Sequence, residues 1–251
     1  MKKILIKACL NGDRSRSDHP AVPISPHEIA AEAAGAAKAG AGAVHVHPRR
    51  ADGSETLDPQ TCDAVVRAVR ASCPGLPVGL TTGAWIDCGP GGRLHAIDAW
   101  SELPDFVSVN FSESGVAQLC MLLLDKGIGV EAGVQTAEDV GALASGDVAR
   151  RCMRILVEAA PTEPQKALNV VALIDDALDA SEVAAPRLYH GCEGATWAVL
   201  EAAMARGDSV RVGLEDVTTL PNGKPARDNA DLVAAAMQMA SRHEFSVRRD
   251  D

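Results

Sequence analysis

Short β-like runs alternate with longer alanine-rich helical runs along the whole chain, and the number of those alternations restricts the fold more than any single motif. Strands are expected at Lys3–Leu10, Ala43–His47, Val78–Thr82, Asp105–Phe111, Gly129–Ala132, Cys152–Glu158, Pro186–His190 and Ser209–Glu215. Helices are expected at Pro26–Ala39, Pro59–Ser72, Leu94–Glu102, Gly115–Lys126, Thr136–Ala144, Pro164–Ala180, Thr196–Arg206 and Asn229–Arg242. Ser25-Pro26, Asp58-Pro59 and Asp228 or Asn229 mark helix starts, and Gly40, Gly127 and Gly207 mark ends. A helix after every strand demands parallel strands. Eight such units in 251 residues predict an α/β fold, a single-domain (β/α)₈ TIM barrel over residues 1–251. No Pro/Gly/Ser-rich linker or shift in composition divides the chain. A doubly wound open sheet is the alternative, and it needs an unusual strand count.

Composition narrows the partners. A hydrophobic content of 47% fills a sizeable core, while a net charge of −10 argues against nucleic acid or an anionic membrane surface. A phosphate-bearing ligand must then be met by local arginines. Met1-Lys2-Lys3-Ile4-Leu5-Ile6-Lys7 lacks a signal-peptide apolar region, and no stretch is long enough to span a bilayer, so a cytoplasmic location is expected. Seven cysteines without Cys-x-x-Cys spacing read as reduced packing residues. At 3%, aromatic residues are too sparse to suggest a base-stacking surface.

The chemistry centres on Val44-His45-Val46-His47-Pro48-Arg49. Side chains two apart on a strand share a face, so His45 and His47 can grip one ion together. Pro48 then closes the strand and leaves both imidazoles at its C-terminal mouth, where α/β barrels build their sites. An isolated His-x-His is as readily a buried strand with hydrogen-bonded histidines, so the partners matter. They lie at the same end of the other strands: Asn11-Gly12-Asp13-Arg14, Thr81-Thr82-Gly83, Ser108 and Asn110, Glu131, Glu158, His190 and Glu215-Asp216. Barrel interiors are normally filled by branched apolar side chains, so polar groups gathered at one end point to a site.

Glu215 is the expected third metal ligand, because in a closed barrel the last strand pairs with the first and brings it near the two histidines. A His₂Glu set with an open position is a catalytic zinc pattern, and divalent iron suits the same set. Class I aldolase chemistry is disfavoured, since the strand lysines Lys3 and Lys7 precede the mouth. Strict alternation would put Glu215 and Asp216 on opposite faces and Arg211 roughly 13 Å deeper, so the strand must end or bulge there if all three serve one site.

Ala8-Cys9-Leu10-Asn11-Gly12, His45-Val46-His47-Pro48-Arg49, Thr81-Thr82-Gly83, Ser108-Val109-Asn110, Arg211-Val212-Gly213-Leu214-Glu215-Asp216 and Asn229–Val233 together resemble the β-keto acid cleavage enzyme family over nearly the whole chain. The resemblance implies a zinc-dependent acyltransferase of TIM-barrel fold that turns a β-keto acid and acetyl-CoA into acetoacetate and a new acyl-CoA. It also implies that His45, His47 and Glu215 bind the metal and that Asp216 and Arg211 are catalytic. Thr81, Ser108 and Asn110 would lie against the substrate, and Glu131 and Arg14 are expected to join them. A metal-dependent hydrolase or class II aldolase-like lyase without CoA is the enzyme alternative; a non-catalytic metal- or ligand-binding barrel is the other.

The chain departs from the family where longer relatives have a Gly-rich loop after strand 6, for it reads Glu158-Ala159-Ala160-Pro161-Thr162-Glu163-Pro164. In the long first loop it reads Asp13-Arg14-Ser15-Arg16, where relatives taking amino-substituted substrates carry a glutamate. Loop arginines favour an anionic or neutral tail, or meet a CoA phosphate. The apolar run Leu119–Leu124 suggests a homo-oligomer.

Overall fold

In the computed structural model, which describes residues 3–86 and 92–250, strands Ile6–Cys9 (β2), Ala43–Val46 (β3), Val78–Leu80 (β4), Phe106–Asn110 (β5), Gly129–Val134 (β6), Arg154–Ala159 (β7), Arg187–Gly191 (β8) and Ser209–Val212 (β9) form one barrel. The strands follow sequence order, every pair is parallel, and β9 closes on β2 through Lys7↔Arg211 and Ala8↔Val212. The helices are Pro26–Ala39 (α1), Pro59–Ser72 (α2), Gly92–Asp98 (α3), Val116–Asp125 (α4), Ala137–Ala144 (α5), Pro164–Asp179 (α6), Thr196–Arg206 (α7) and Asn229–Arg242 (α8). The (β/α)₈ barrel is therefore the fold, and the open sheet is excluded. A short parallel pair, Lys3–Ile4 (β1) with Ser246–Val247 (β10), ties the C-terminal tail to the start of the chain.

Local chemistry sets these boundaries. Ser25 caps α1 in a reciprocal capping box with Glu28, and Asp58 and Asp228 cap α2 and α8. The Ser25 and Ile24 amides hold the Glu28 carboxyl down at about 2 against mild burial. Several elements end earlier than the sequence suggests, most of all the helix expected over Leu94–Glu102, which stops at Asp98, and the strand expected over Ser209–Glu215, which stops at Val212. The second difference shapes the site.

The main core lies between the outward strand faces and the helices, where Ala8, Val44, Val46, Leu80, Val107, Val157 and Val212 meet Ile29, Val65, Leu119, Leu143, Ile174, Leu200 and Leu232. Leu119, Cys120 and Leu123 of the run that suggested self-association belong to this core, and Met121 is what that run leaves strongly exposed. Inside the barrel the apolar filling is small: Leu5, Ala43, Phe106, Leu156 and Leu188. Gly79 is what lets Phe106 lie there, because a Cβ on Gly79 would sit 2.2 Å from its ring.

The remaining interior is charged. Glu131 is fully buried, with Oε2 held by Lys7 from across the barrel and Oε1 2.5 Å from Nε of Arg154. Arg154 also binds Asp250 of the C-terminal tail, and its guanidinium stacks 4.6 Å over the Phe106 ring. Both Glu131 oxygens are taken by these two cations, which builds a charged floor beneath the mouth. Burial resists its ionisation, yet Lys7 and Arg154 hold it well below the usual carboxylate range.

Candidate metal centre and catalytic groups

β3 delivers the paired imidazoles as strand alternation requires, with His45 at 1% and His47 at 5% exposure. Asn11, just beyond β2, holds the end of the strand in place. Its Oδ1 accepts from the His47 amide at 2.9 Å, and its Nδ2 donates to the His47 carbonyl at 2.9 Å. Past Pro48 the chain turns at Gly53 and returns as an antiparallel Arg49↔Glu55 bridge. That turn puts Glu55 Oε1 2.5 Å from His47 Nδ1, while Glu55 Oε2 accepts from Trp85 Nε1 at 2.9 Å.

β9 ends at Val212, and residues 213–217 coil into a tight turn in which Asp216 and Val217 both donate to the Gly213 carbonyl. Gly213 is required there, since a Cβ would fall 1.9 Å from the Cys9 carbonyl oxygen. The early end resolves the geometric conflict of a continuous strand. Arg211 Nη2 reaches Glu215 Oε1 at 2.7 Å and Asp216 Oδ1 at 2.6 Å, and its Nε also faces Asp216 Oδ1 at 3.2 Å. Gly12 makes room on the other side, because a Cβ there would lie 2.4 Å from Glu215 Cγ.

Among the described residues, His45, His47 and Glu215 are the group placed to hold one ion, with one donor atom from each within 4.8 Å of the others. His47 Nε2 lies 3.6 Å from Glu215 Oε1 and His45 Nε2 lies 3.9 Å from Glu215 Oε2. Three features fit a divalent cation. Two imidazoles and a carboxylate are a metal-ligand set, Glu215 Oε2 is buried without a hydrogen-bond partner, and Glu55 occupies Nδ1 of His47 so that Nε2 faces inward. The field agrees. Burial alone would discharge His47, but Glu215 and Glu55 raise its pKa to about 9, and burial is opposed at Glu215 by Arg211 and both histidines, which hold it well below the usual range. Burial dominates at His45 and pushes it down.

Asp216 is buried beside the ligands, with Oδ1 on Arg211 and Oδ2 unpartnered. His190 at the end of β8 stands between two carboxylates, its Nδ1 3.4 Å from Asp216 Oδ1 and its Nε2 3.5 Å from Glu158 Oε2. Burial and Arg211 oppose charge on this ring, but Asp216 outweighs them and raises its pKa.

The other expected residues divide into two groups. Thr81 follows β4 and is buried at the mouth; Ser108 and Asn110 end β5 half-buried, and Asn110 donates to Glu113 at 3.2 Å. Arg14 reaches the mouth, but its guanidinium is engaged by the Glu215 carbonyl at 3.2 Å and by Glu193 at 2.5 Å. Arg16 lies outside, paired with Glu28 on the exposed start of α1. Glu55, Glu193 and the bracing of His190 by Glu158 were not anticipated. Asp52-Gly53 is a turn signal that could have folded Glu55 back onto His47; nothing local announces Glu193.

The chain is similar to the 3-keto-5-aminohexanoate cleavage enzyme of Fusobacterium nucleatum, with 29% identity over 96% of this chain and 92% of that protein. Its fold is that of ObcA, solved with oxaloacetate, at a TM-score of 0.76 and 17% identity over 92% of this chain and 66% of that one. ObcA in a ternary complex with a C4-CoA adduct and oxalate gives a TM-score of 0.71 at 17% identity, again over 92% of this chain and 66% of that one. Among the described residues no helix is long and apolar enough to cross a membrane. The sequence model of the beta-keto acid cleavage enzymes matches residues 3–249, and the chain belongs to that family.

Proposed function

We propose that this β-keto acid cleavage enzyme exchanges acyl groups between a β-keto acid and acetyl-CoA, so that R–CO–CH₂–COO⁻ and acetyl-CoA become acetoacetate and R–CO–CoA. The reading includes a divalent ion, zinc in the first instance, at His45, His47 and Glu215, and divalent iron suits the same donors. The observation that carries it is the paired presentation of Glu215 and Asp216. Arg211 ties one oxygen of each carboxylate, which leaves Glu215 Oε2 and Asp216 Oδ2 buried, unpartnered and side by side in the chain. When bound, the ion would polarise the keto oxygen and stabilise the enolate-like charge that carbon–carbon cleavage develops.

The chain's own groups supply the rest. Asp216 Oδ2 takes and returns the proton next to the keto carbon, and Arg211 fixes that carboxylate and offsets charge gathered beside it. His190 and Glu158 brace Asp216 from the far side. In this reading Thr81, just after β4, and Ser108 and Asn110 of β5 face the substrate with hydroxyl and amide groups. Below them Lys7 and Arg154 spend their charge on Glu131, so the floor does not compete for the substrate carboxylate. The complexes of ObcA with oxaloacetate and with a C4-CoA adduct support a keto acid and a CoA species on this fold.

The test is incubation of metal-loaded protein with a β-keto acid, with and without acetyl-CoA, and assay of acetoacetate. The expected result is acetoacetate and a new acyl-CoA only when acetyl-CoA is present. Consumption of the keto acid without acetyl-CoA would replace the transfer by hydrolysis or aldolase-like cleavage. Metal binding without turnover would leave a binding barrel.

A further inference from the structure

We propose that Arg14 and Glu193 form a strap that fixes the turn carrying Glu215 and Asp216, which makes Arg14 a positioning residue and not a reader of the substrate tail; this rests on the metal-centred reading above. The backbone amides of the turn are held partly from other elements and partly within it. The Leu214 amide donates to Asn229 Oδ1 at 2.8 Å and the Glu215 amide to the Cys9 carbonyl at 3.2 Å, while Asp216 and Val217 donate to Gly213 within the turn. The carbonyls of Glu215 and Asp216 are held from the flanking loops, and Thr196 Oγ1 also reaches the Asp216 carbonyl at 3.5 Å. Arg14 Nε donates to the first at 3.2 Å, and the Glu193 amide donates to the second at 2.8 Å.

The two donors also hold each other, with Arg14 Nη2 2.5 Å from Glu193 Oε1. The loop after β2 and the loop after β8 are thus joined over the two carbonyls that flank the reacting carboxylates. Arg49, from the His-x-His-Pro-Arg run, anchors the near end by donating to the carbonyls of Gly12 and Arg14. At the far end Glu193 stands at φ +50°, a left-handed conformation that a non-glycine residue adopts only when its surroundings impose it. Glu193 is 47% exposed, so its ion pair adds little to global stability. Its value is placement, since carboxylates held about 1 Å from their working positions lose roughly a hundredfold in rate.

The substitutions Arg14→Ala, Arg14→Lys, Glu193→Ala, Glu193→Gln and the Arg14→Ala/Glu193→Ala pair test the strap. The readouts are affinity for Co²⁺ from its visible absorption on metal-free protein, thermal midpoint, and kcat and KM for neutral, dicarboxylic and amino β-keto acids. Each alanine variant is expected to keep its thermal midpoint, to bind Co²⁺ about tenfold more weakly and to lose kcat by one factor common to all three keto acids, with KM little changed. The double variant should be no worse than the worse single one, because either change alone breaks the Arg14–Glu193 link while the amide of residue 193 keeps its bond to the Asp216 carbonyl in every variant. Glu193→Gln should recover much of the loss through its side-chain oxygen, whereas Arg14→Lys should not, since a single nitrogen does not span the Glu215 carbonyl and the Glu193 carboxylate as the separate Nε and Nη2 of the guanidinium do. Unchanged Co²⁺ affinity in Arg14→Ala with an altered preference among the keto acids would overturn the strap and return Arg14 to the substrate. Additive losses in the double variant would also overturn it. A parent that binds no divalent ion would overturn the metal reading and this proposal together.

Discussion

Glu55 lies 2.5 Å from Nδ1 of His47, and this contact from outside the expected ligand set decides which nitrogen of that ring faces Glu215. A carboxylate behind a liganding imidazole fixes the ring and raises its basicity. Glu55→Ala should weaken zinc binding by about 10- to 100-fold without unfolding the protein, because Glu55 is a half-buried residue of the segment beyond β3 and outside the barrel strands. Competition with a calibrated chelator measures the affinity. Because Trp85 Nε1 bonds the other oxygen of Glu55, the indole emission should shift in the same variant. Parent-like affinity would remove Glu55 from the site.

The ligands themselves are tested by His45→Ala and Glu215→Ala, each of which should lose bound metal while the circular dichroism stays native. Gly12→Ala makes the same point from the backbone. Position 12 is at φ +56° and its Cβ would lie 2.4 Å from Glu215 Cγ, so the variant should lose metal with all three ligands unsubstituted. Elemental analysis of purified variants decides, and full metal content in all three would place the ion elsewhere.

Asp216→Asn separates proton transfer from ligation. It keeps the volume and one acceptor for Arg211, whose Nη2 also holds Glu215. Metal content should therefore persist while kcat falls by about 10²–10⁴-fold, the usual contribution of a general acid–base group. Single-turnover measurement at saturating substrate would reveal it, and a rate near the parent's would reject Asp216 as the proton carrier.

Glu131→Gln tests the charged floor. Removing the anion leaves Lys7 and Arg154 buried with reduced compensation, which should cost about 3–5 kcal/mol. Because the folded-state pKa of Glu131 is depressed, its stabilisation is fully present above the unfolded value near 4.3 and is lost as pH falls from there through the folded value. The gap between parent and variant in urea unfolding should be constant from about pH 8 to 5. Below about pH 4 it should narrow by roughly 1.4 kcal/mol per pH unit. A gap indifferent to pH across that range would mean that Glu131 is not ionised in the folded protein.

The sequence by itself determined what depends on neighbours in the chain. Period-two patterning, the helix caps at Ser25, Asp58 and Asp228, and the glycine ends gave the barrel, and the same period put His45 and His47 on one face before Pro48. Even the need for β9 to break near Glu215 follows from alternation. Where it breaks does not, for Gly213 is fixed by the Cys9 carbonyl pressing on it from β2, a contact that exists only once the barrel closes. Glu131 illustrates the limit. Its place in β6 was legible, but its partner Lys7 stands 124 residues away across the interior, and that distance in sequence hides the pairing. Arg14 and Glu193 are 179 residues apart and meet because β2 and β8 both flank β9. Periodicity encodes which face a side chain takes, whereas the partner it meets on that face is set by closure and stagger of the strands, which no local stretch contains.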